Sequence, residues 1–282
     1  MKWQIGDVTI TKVLEAELHW PFRALLPEVD EALVAKVDWL RPSFVDDDGK
    51  MILSMHALVV ESQGRTIVVD TCIGNDKDRP TRPFNQRSGP FLDDLAAAGF
   101  PRERVDTVLC THLHVDHVGW NTMLVDGAWV PTFPNARYLF GRTEFEHWSA
   151  HPEVEIFGDV MSDSVQPIVD AGLADLVSSE HRITDEVSLE PTVGHTPGHH
   201  SVVVSSGGER AVITGDMTHH PIQFAYPGIT SSADTDSPQA NATRQSFVDR
   251  YCDTPTLIIG THFATPTAGR IVRDGDRYRF AS

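Results

Sequence analysis

The run Thr111-His112-Leu113-His114-Val115-Asp116-His117 constrains this chain more than any other stretch of it. It follows VDTVLC, a brief apolar segment that reads as a buried strand, so the ligand-type side chains leave a rigid element toward solvent. His112 and His114 alternate, which puts both rings on one side of an extended chain, while Asp116 and His117 fall on the next turn. Imidazole and carboxylate are the ligands of zinc and of its neighbours manganese and iron. One ion can take His112 and His114, and a second can take Asp116 and His117, each needing further ligands from elsewhere. Three more motifs supply them: His195 in VGHTPGHH, Asp216 in ITGDMTHH and His262 in IIGTHF, each near an expected strand end or in a glycine-rich turn.

The surrounding pattern alternates between periods two and three to four. WQIGDVTITKVLEAEL reads as one or two antiparallel strands, and HALVVES with RTIVVD forms a hairpin across Gln63-Gly64 that delivers Asp70 to a strand end. Between them, residues 21–50 are rich in acids and prolines and carry a short helix expected over residues 31–39; they read as an arm or lid. A loop spans residues 74–90, and FLDDLAAAGF is a helix stopped by Gly99 and Pro101. ARYLF, VVVSS, AVITGD and TLIIG read as strands, RTEFEHW, DSVQPIVDAG and QANATRQSFVDRYC as helices, and IVRDGDRYRF as a hairpin across Asp274-Gly275. No linker divides the chain, so a single domain over residues 1–282 is expected, with sheets packed face to face and helices outside.

The net charge of −17 argues against nucleic acid as a partner, because phosphate contacts need clustered Lys and Arg. No apolar stretch is long enough for a membrane helix, and MKWQIGDVTI lacks the apolar core of a signal peptide, so a cytoplasmic protein with no membrane partner is expected. Cys72, Cys110 and Cys252 form no CxxC pattern and read as free thiols.

HLHVDH resembles the HxHxDH signature of metallo-β-lactamase-fold hydrolases, and GHTPGHH, TGD and GTH resemble that superfamily's remaining metal motifs in the same order. The resemblance implies an α+β fold, the four-layer αββα sandwich, with two divalent ions, zinc foremost and manganese or iron as alternatives. His112, His114 and His195 would hold one ion, Asp116, His117 and His262 the other, and Asp216 would bridge them. Within the superfamily, HVGWNT and PNARYLFGRTEFEHW are similar to methyl-parathion-hydrolase-like members, with acyl-homoserine lactonases the other near branch. Those lactonases carry a tyrosine three residues after the bridging aspartate, where this chain has His219. His199 and His200 then fall outside the ligand set, in supporting or surface roles, and His56, His147, His151 and His181 receive no function.

The expected chemistry is hydrolysis of a lactone or carboxylic ester of a small-molecule substrate by a hydroxide shared between the two ions. Asp116 is a candidate for orienting that nucleophile or passing a proton, and His219 for stabilising the developing oxyanion. Trp120, Phe145, Trp148 and Phe224 follow the metal motifs closely and are candidates for an apolar pocket, with core positions the alternative; Arg79, Arg82 and Arg87 would suit an anionic substrate but read first as a solvated charged loop. Readings left open are a phosphotriester or phosphoester hydrolase, a thioester hydrolase of the glyoxalase II type, an iron-dependent oxygenase, and a metal-stabilised binding protein without turnover. Relatives of this kind also imply a homodimer, for which residues 21–50 could supply the contact.

Overall fold

Strand side chains point alternately to two faces, and in the central strands of each sheet both faces are apolar and buried. Strands β1 (Lys2–Ile5), β2 (Val8–Trp20), β3 (Met51–Ser62), β4 (Arg65–Val69) and β5 (Thr107–Leu109) precede a small separate hairpin, β6 (Thr122–Val125) with β7 (Ala128–Pro131). Then come β8 (Arg137–Gly141) and β9 (Ala174–Val177), followed by β10 (Val187–Pro191), β11 (His200–Ser206), β12 (Glu209–Ile213), β13 (Leu257–Ile259), β14 (Ala268–Asp274) and β15 (Arg277–Ala281). One sheet has the order β1-β2-β3-β4-β5-β8-β9 and the other β10-β11-β12-β13-β14-β15. The computed structural model describes residues 1–152 and 154–282.

Leu58 and Val60 of β3, Val69 and Leu109 meet Val202, Val204, Ile213 and Ile259 of the second sheet in one apolar cluster between the sheets. Their neighbours Ala57, Val59, Val68, Val108, Val203, Val212 and Ile258 belong to the other core, where helices cover the outer faces. Phe91 and Leu95 of the helix Phe91–Ala97 and Ile168 of Gln166–Asp170 lie in it, as do Phe247, Val248 and Tyr251 of Ser237–Tyr251. Asp236 starts the last of these by accepting the Gln239 N–H at 3.0 Å. The four-layer αββα sandwich expected from the sequence is the observed fold.

The first sheet is antiparallel from β1 to β4 and parallel from β4 through β5 and β8 to β9, and the second is antiparallel except where β12 and β13 pair in parallel. Four strand ends therefore point the same way at one edge of the sandwich, and the loops leaving them carry Asp70, the THLHVDH run, Asp216 and His262. Ser54 N–H donates to His262 O at 2.9 Å, tying the two sheets together at that edge.

The helix expected over residues 31–39 is shorter: Glu31–Val34 is α-helical and Asp38–Leu40 is a separate 3₁₀ turn. Val34, Val37 and Leu40 are all buried, and their spacing of three favours a tightened, broken path over a continuous helix. Residues 21–50 are not a free arm, since Phe22, Leu26, Val29, Leu40 and Phe44 are part of the main core. The β6-β7 hairpin lies outside the strands expected from the sequence, although its turn, Asp126-Gly127, has both residues at positive φ, the geometry that such pairs favour. The three cysteines are free, and among the described residues no helix is long and apolar enough to cross a membrane.

Because Leu58 lies between the sheets at 1% exposure while Leu14 is 46% exposed, Leu58→Ala should cost about 2–5 kcal/mol in denaturant unfolding. Leu14→Ala should stay within about 0.5 kcal/mol of the parent protein. Equal effects would contradict the two-sheet core.

Candidate metal centre

The strand exits bring the sequence-predicted ligands together. His112, His114 and His195 offer nitrogens within 4.8 Å of one another, as do the ligand atoms of Asp116, His117 and His262. Asp216 lies between these groups: its Oδ2 is 3.2 Å from His117 Nε2, 3.6 Å from His195 Nε2 and 3.8 Å from His112 Nε2, while its Oδ1 is 3.1 Å from His262 Nε2. Asp116 closes the second group, 3.7 Å from His117 Nε2 and 3.5 Å from His262 Nε2. His219 joins the cluster as well, with Nε2 at 3.3 Å from Asp216 Oδ2.

The atoms that face one another across this space fit divalent cations. His112 Nε2, His117 Nε2 and Asp216 Oδ1 are buried and have no hydrogen-bond partner, a state that costs roughly 1–3 kcal/mol per group when nothing binds there. Burial drives the imidazoles of His112 and His195 well below their ordinary range, and His114 to about 3, so these rings are neutral ligands at neutral pH. Burial opposes charge on His117 and His262 too, but the carboxylates beside them, Asp216 above all, outweigh it and raise both. Asp216 feels the converse: burial would raise it, yet the rings of His117, His262 and His219 hold it well below the usual carboxylate range. The second half of the cluster is thus a place of negative potential that a cation satisfies.

Two of the ligand rings, those of His117 and His195, are aimed by a carboxylate on the far nitrogen, which fixes tautomer and orientation. His117 Nδ1 lies 2.9 Å from Asp70 Oδ2, and Asp70 also accepts the Thr111 N–H at 2.7 Å and the Thr111 hydroxyl at 2.9 Å. His195 Nδ1 is 3.0 Å from Asp234 Oδ1, and Asp234 is steadied by the Ser231 N–H at 2.9 Å and by the buried guanidinium of Arg244 at 3.8 Å. His199 takes the supporting role: its Nε2 accepts the Asp216 N–H at 2.8 Å, so its proton sits on Nδ1, directed to Thr192 Oγ1 at 2.9 Å. Gly215 is at φ +55°, and a Cβ there would lie 2.5 Å from that same His199 Nε2, so only glycine lets the Asp216 turn form. His200 is equally buried rather than on the surface, and His220 is a core residue, its ring edge-on to Phe22 and its Nε2 at 2.9 Å from Phe44 O.

Three supports carry no local sequence signal of their role. Asp234 lies in a loop without periodic signal, and Asp70 stands at the expected end of a strand, where nothing local marks His117 as its partner. Glu144 is fully buried, where it accepts the Leu113 N–H at 3.1 Å, the Gly198 N–H at 2.9 Å and the Trp148 Nε1–H at 2.6 Å, tying two ligand loops to one helix. Burial raises its carboxyl above the usual range in spite of these donors.

A cavity of about 440 Å³ opens on the cluster and is lined by His114, Asp116, Asp216, His219 and His262 together with Trp20, Leu25, Met55, Phe84 and Phe157. The aromatic residues chosen from sequence lie elsewhere. Trp120 is buried against Phe91 and donates to Glu15 Oε1 at 2.8 Å, Phe224 packs among Phe247, Phe263 and Phe280, and Phe145 sits against the core outside the cavity wall. Trp148 touches the far side of the His114 ring, with centroids 5.2 Å apart. Adjacency in sequence to a metal motif misled here because a residue one turn beyond a strand exit is turned back into the core. Arg79 neither faces the cavity nor is solvated, being buried and engaged by Asp163.

This geometry on this fold defines a metal-binding hydrolase scaffold. Residues 54–278 match the family model described as the metallo-beta-lactamase superfamily, and the chain belongs to that superfamily of metal-dependent hydrolases. Among solved structures it is similar to hydrolase AbOPH of the beta lactamase superfamily, at 26% identity and TM-score 0.82, covering 99% of this chain and 96% of that one. It is also similar to AidC, a dizinc quorum-quenching lactonase in complex with a homoserine product, at 23% identity and TM-score 0.78, covering 99% and 96%. A probable metal-dependent hydrolase from Staphylococcus aureus matches at 20% identity and TM-score 0.75, covering 99% and 98%. None of the curated proteins matches the chain in sequence.

Asp70→Asn keeps the shape of the side chain but removes the charge that aims His117, and should lower metal affinity about 10–100-fold in a chelator competition. Unchanged affinity would contradict the orienting role of Asp70.

Proposed function

We propose that the centre holds two divalent ions, zinc foremost, and hydrolyses a neutral lactone or carboxylic ester carrying an apolar group. The observation that carries this reading is the wall of the cavity: Trp20, Leu25, Leu53, Met55, Phe84, Ile156 and Phe157 are apolar, and among the described residues no Lys or Arg lines it. A phosphodiester or a substrate bearing carboxylates would meet apolar surface there with no counter-charge from the protein. Its similarity to a protein described as a dizinc lactonase supports the same direction.

His112, His114 and His195 would hold one ion, Asp116, His117 and His262 the second, with Asp216 between them. When bound, such a pair supplies a nucleophile at neutral pH and a Lewis acid for oxygen charge, so that no serine or cysteine nucleophile is required. The protein's own share is positioning and proton handling. Asp116, whose side chain is 15% exposed and faces the cavity, is close enough to the second group to orient a water and to carry its proton to the departing oxygen. His219 borders the cavity and aims Nε2 at the cluster, where it would hydrogen-bond the oxygen that gains charge. Its backbone is pinned by Gln223 Oε1, which accepts the His219 N–H at 2.8 Å. The apolar walls exclude water and seat the remainder of the substrate.

A panel of lactones, aryl esters, phosphodiesters, phosphotriesters and thioesters tests the reading on the metal-loaded protein. Neutral lactones or esters with apolar acyl groups should exceed analogues bearing a carboxylate or phosphate at least about tenfold in kcat/KM. Preference for anionic substrates, or the absence of any hydrolysis, would contradict it.

A further inference from the structure

The outer walls of the cavity come from two pieces of chain that belong to neither sheet. Thr81 and Phe84 lie in the loop after β4, and Ile156 and Phe157 in the short helix Val154–Phe157. Phe84 stacks on Trp20 with centroids 5.6 Å apart, and Phe157 lies against the His114 ring at 4.8 Å. What joins the two pieces is a cluster of charges sunk behind them. Arg79 meets both oxygens of Asp163 at 2.6 and 2.8 Å. Lys77 Nζ donates to Thr122 Oγ1 at 2.9 Å and to the Asp163 carbonyl at 3.3 Å, and lies 3.8 Å above the Trp129 ring centroid on the β6-β7 hairpin.

All three charged residues are buried: Lys77 is 0% exposed, Arg79 4% and Asp163 8%. Burial lowers the Lys77 ammonium to about 8, against the opposing pull of Asp163. Apolar side chains of similar volume commonly stabilise such a place as well or better, so a buried ionic cluster is poor evidence of stability. Its distinctive property is direction, because the planar guanidinium fork accepts a carboxylate in one arrangement. Asp163 sits in a π-helical turn, Met161–Val165, an irregularity found frequently at functional positions. The pieces are pressed together with no slack: a Cβ on Gly158 would lie 2.8 Å from Asp78 O and 3.2 Å from Arg79 Cδ.

We propose that Asp163, through its fork with Arg79 and its contacts with Lys77, is a positioning residue that keeps the two outer walls in register and so selects the size of apolar group the centre accepts. The selection of substrate size rests on the hydrolase reading above; the coupling of the walls does not. Thr81 and Phe84 follow Arg79 by only a few residues, and Phe157 precedes Asp163 by six, so a change in the fork moves both walls while the ligand loops stay on their strands.

The test uses the metal-loaded full chain as Asp163→Asn and as the milder Arg79→Lys, which keeps the charge and loses the fork. Kinetics on ester or lactone series with short and long acyl chains would be read beside hydrogen exchange of residues 78–86 and 157–165. The proposal expects KM for the longest chains to rise about tenfold, kcat for the shortest to stay within about twofold, metal content to hold, and both segments to exchange faster together. Equal kinetic changes for short and long chains, or faster exchange in one segment alone, would overturn it. Should Asp163→Asn not fold, Arg79→Lys decides by the same readings. If the unaltered protein hydrolyses nothing, the hydrolase reading falls with the size selection, and exchange alone decides the coupling.

Discussion

A buried carboxylate surrounded by imidazoles is the interaction on which this molecule turns. Asp216 faces five rings, with His112, His117, His195 and His219 toward one oxygen and His262 toward the other, at 3.1 to 3.8 Å. So many polar groups in a dry place are tolerable only when each is paired or satisfied by a cation. The fold meets that demand by sending strand ends of both sheets to one edge and by giving the rings of His117, His195 and His112 fixed outer partners in Asp70, Asp234 and Thr111. The two apolar cores below serve as a rigid base for this edge, and the left-handed Gly215 lets His199 hold the Asp216 backbone from beneath.

Selectivity has a different physical origin from ligation. Ligands stand on strand exits, where backbone pairing leaves little freedom, whereas the outer cavity walls, beyond Trp20, Leu53 and Met55 of the sheet, are built from loop and short-helix residues such as Phe84, Ile156 and Phe157. Loops of that kind need some other device to hold them, and the fork between Arg79 and Asp163 is one. The same architecture can thus keep a constant chemistry while its walls vary.

How far the sequence was legible follows from this division. The HxHxDH run, the three later motifs and the double-faced apolar strands are local patterns, and each maps onto a strand or its exit in the observed fold. Asp234 and Glu144 act across long sequence distances, on His195 and on the Leu113 and Gly198 backbones, so no local pattern marks them. Trp120 and Phe224 were misplaced because adjacency along the chain says nothing of which way a ring turns at a strand end. Over residues 31–39 the sequence does not separate one helix from a helix and a 3₁₀ turn, since period three and period four look alike over so short a span. Strands β9 and β10 went unmarked because mixed polarity in ADLV and VSLEP hides their pairing.

The central claim is that the clustered side chains form one centre for two cations, and elemental analysis of the purified protein tests it most directly. About two divalent ions per chain, predominantly zinc, is the result this account predicts. A single iron per chain, or no bound metal after exposure to zinc or manganese, would contradict it.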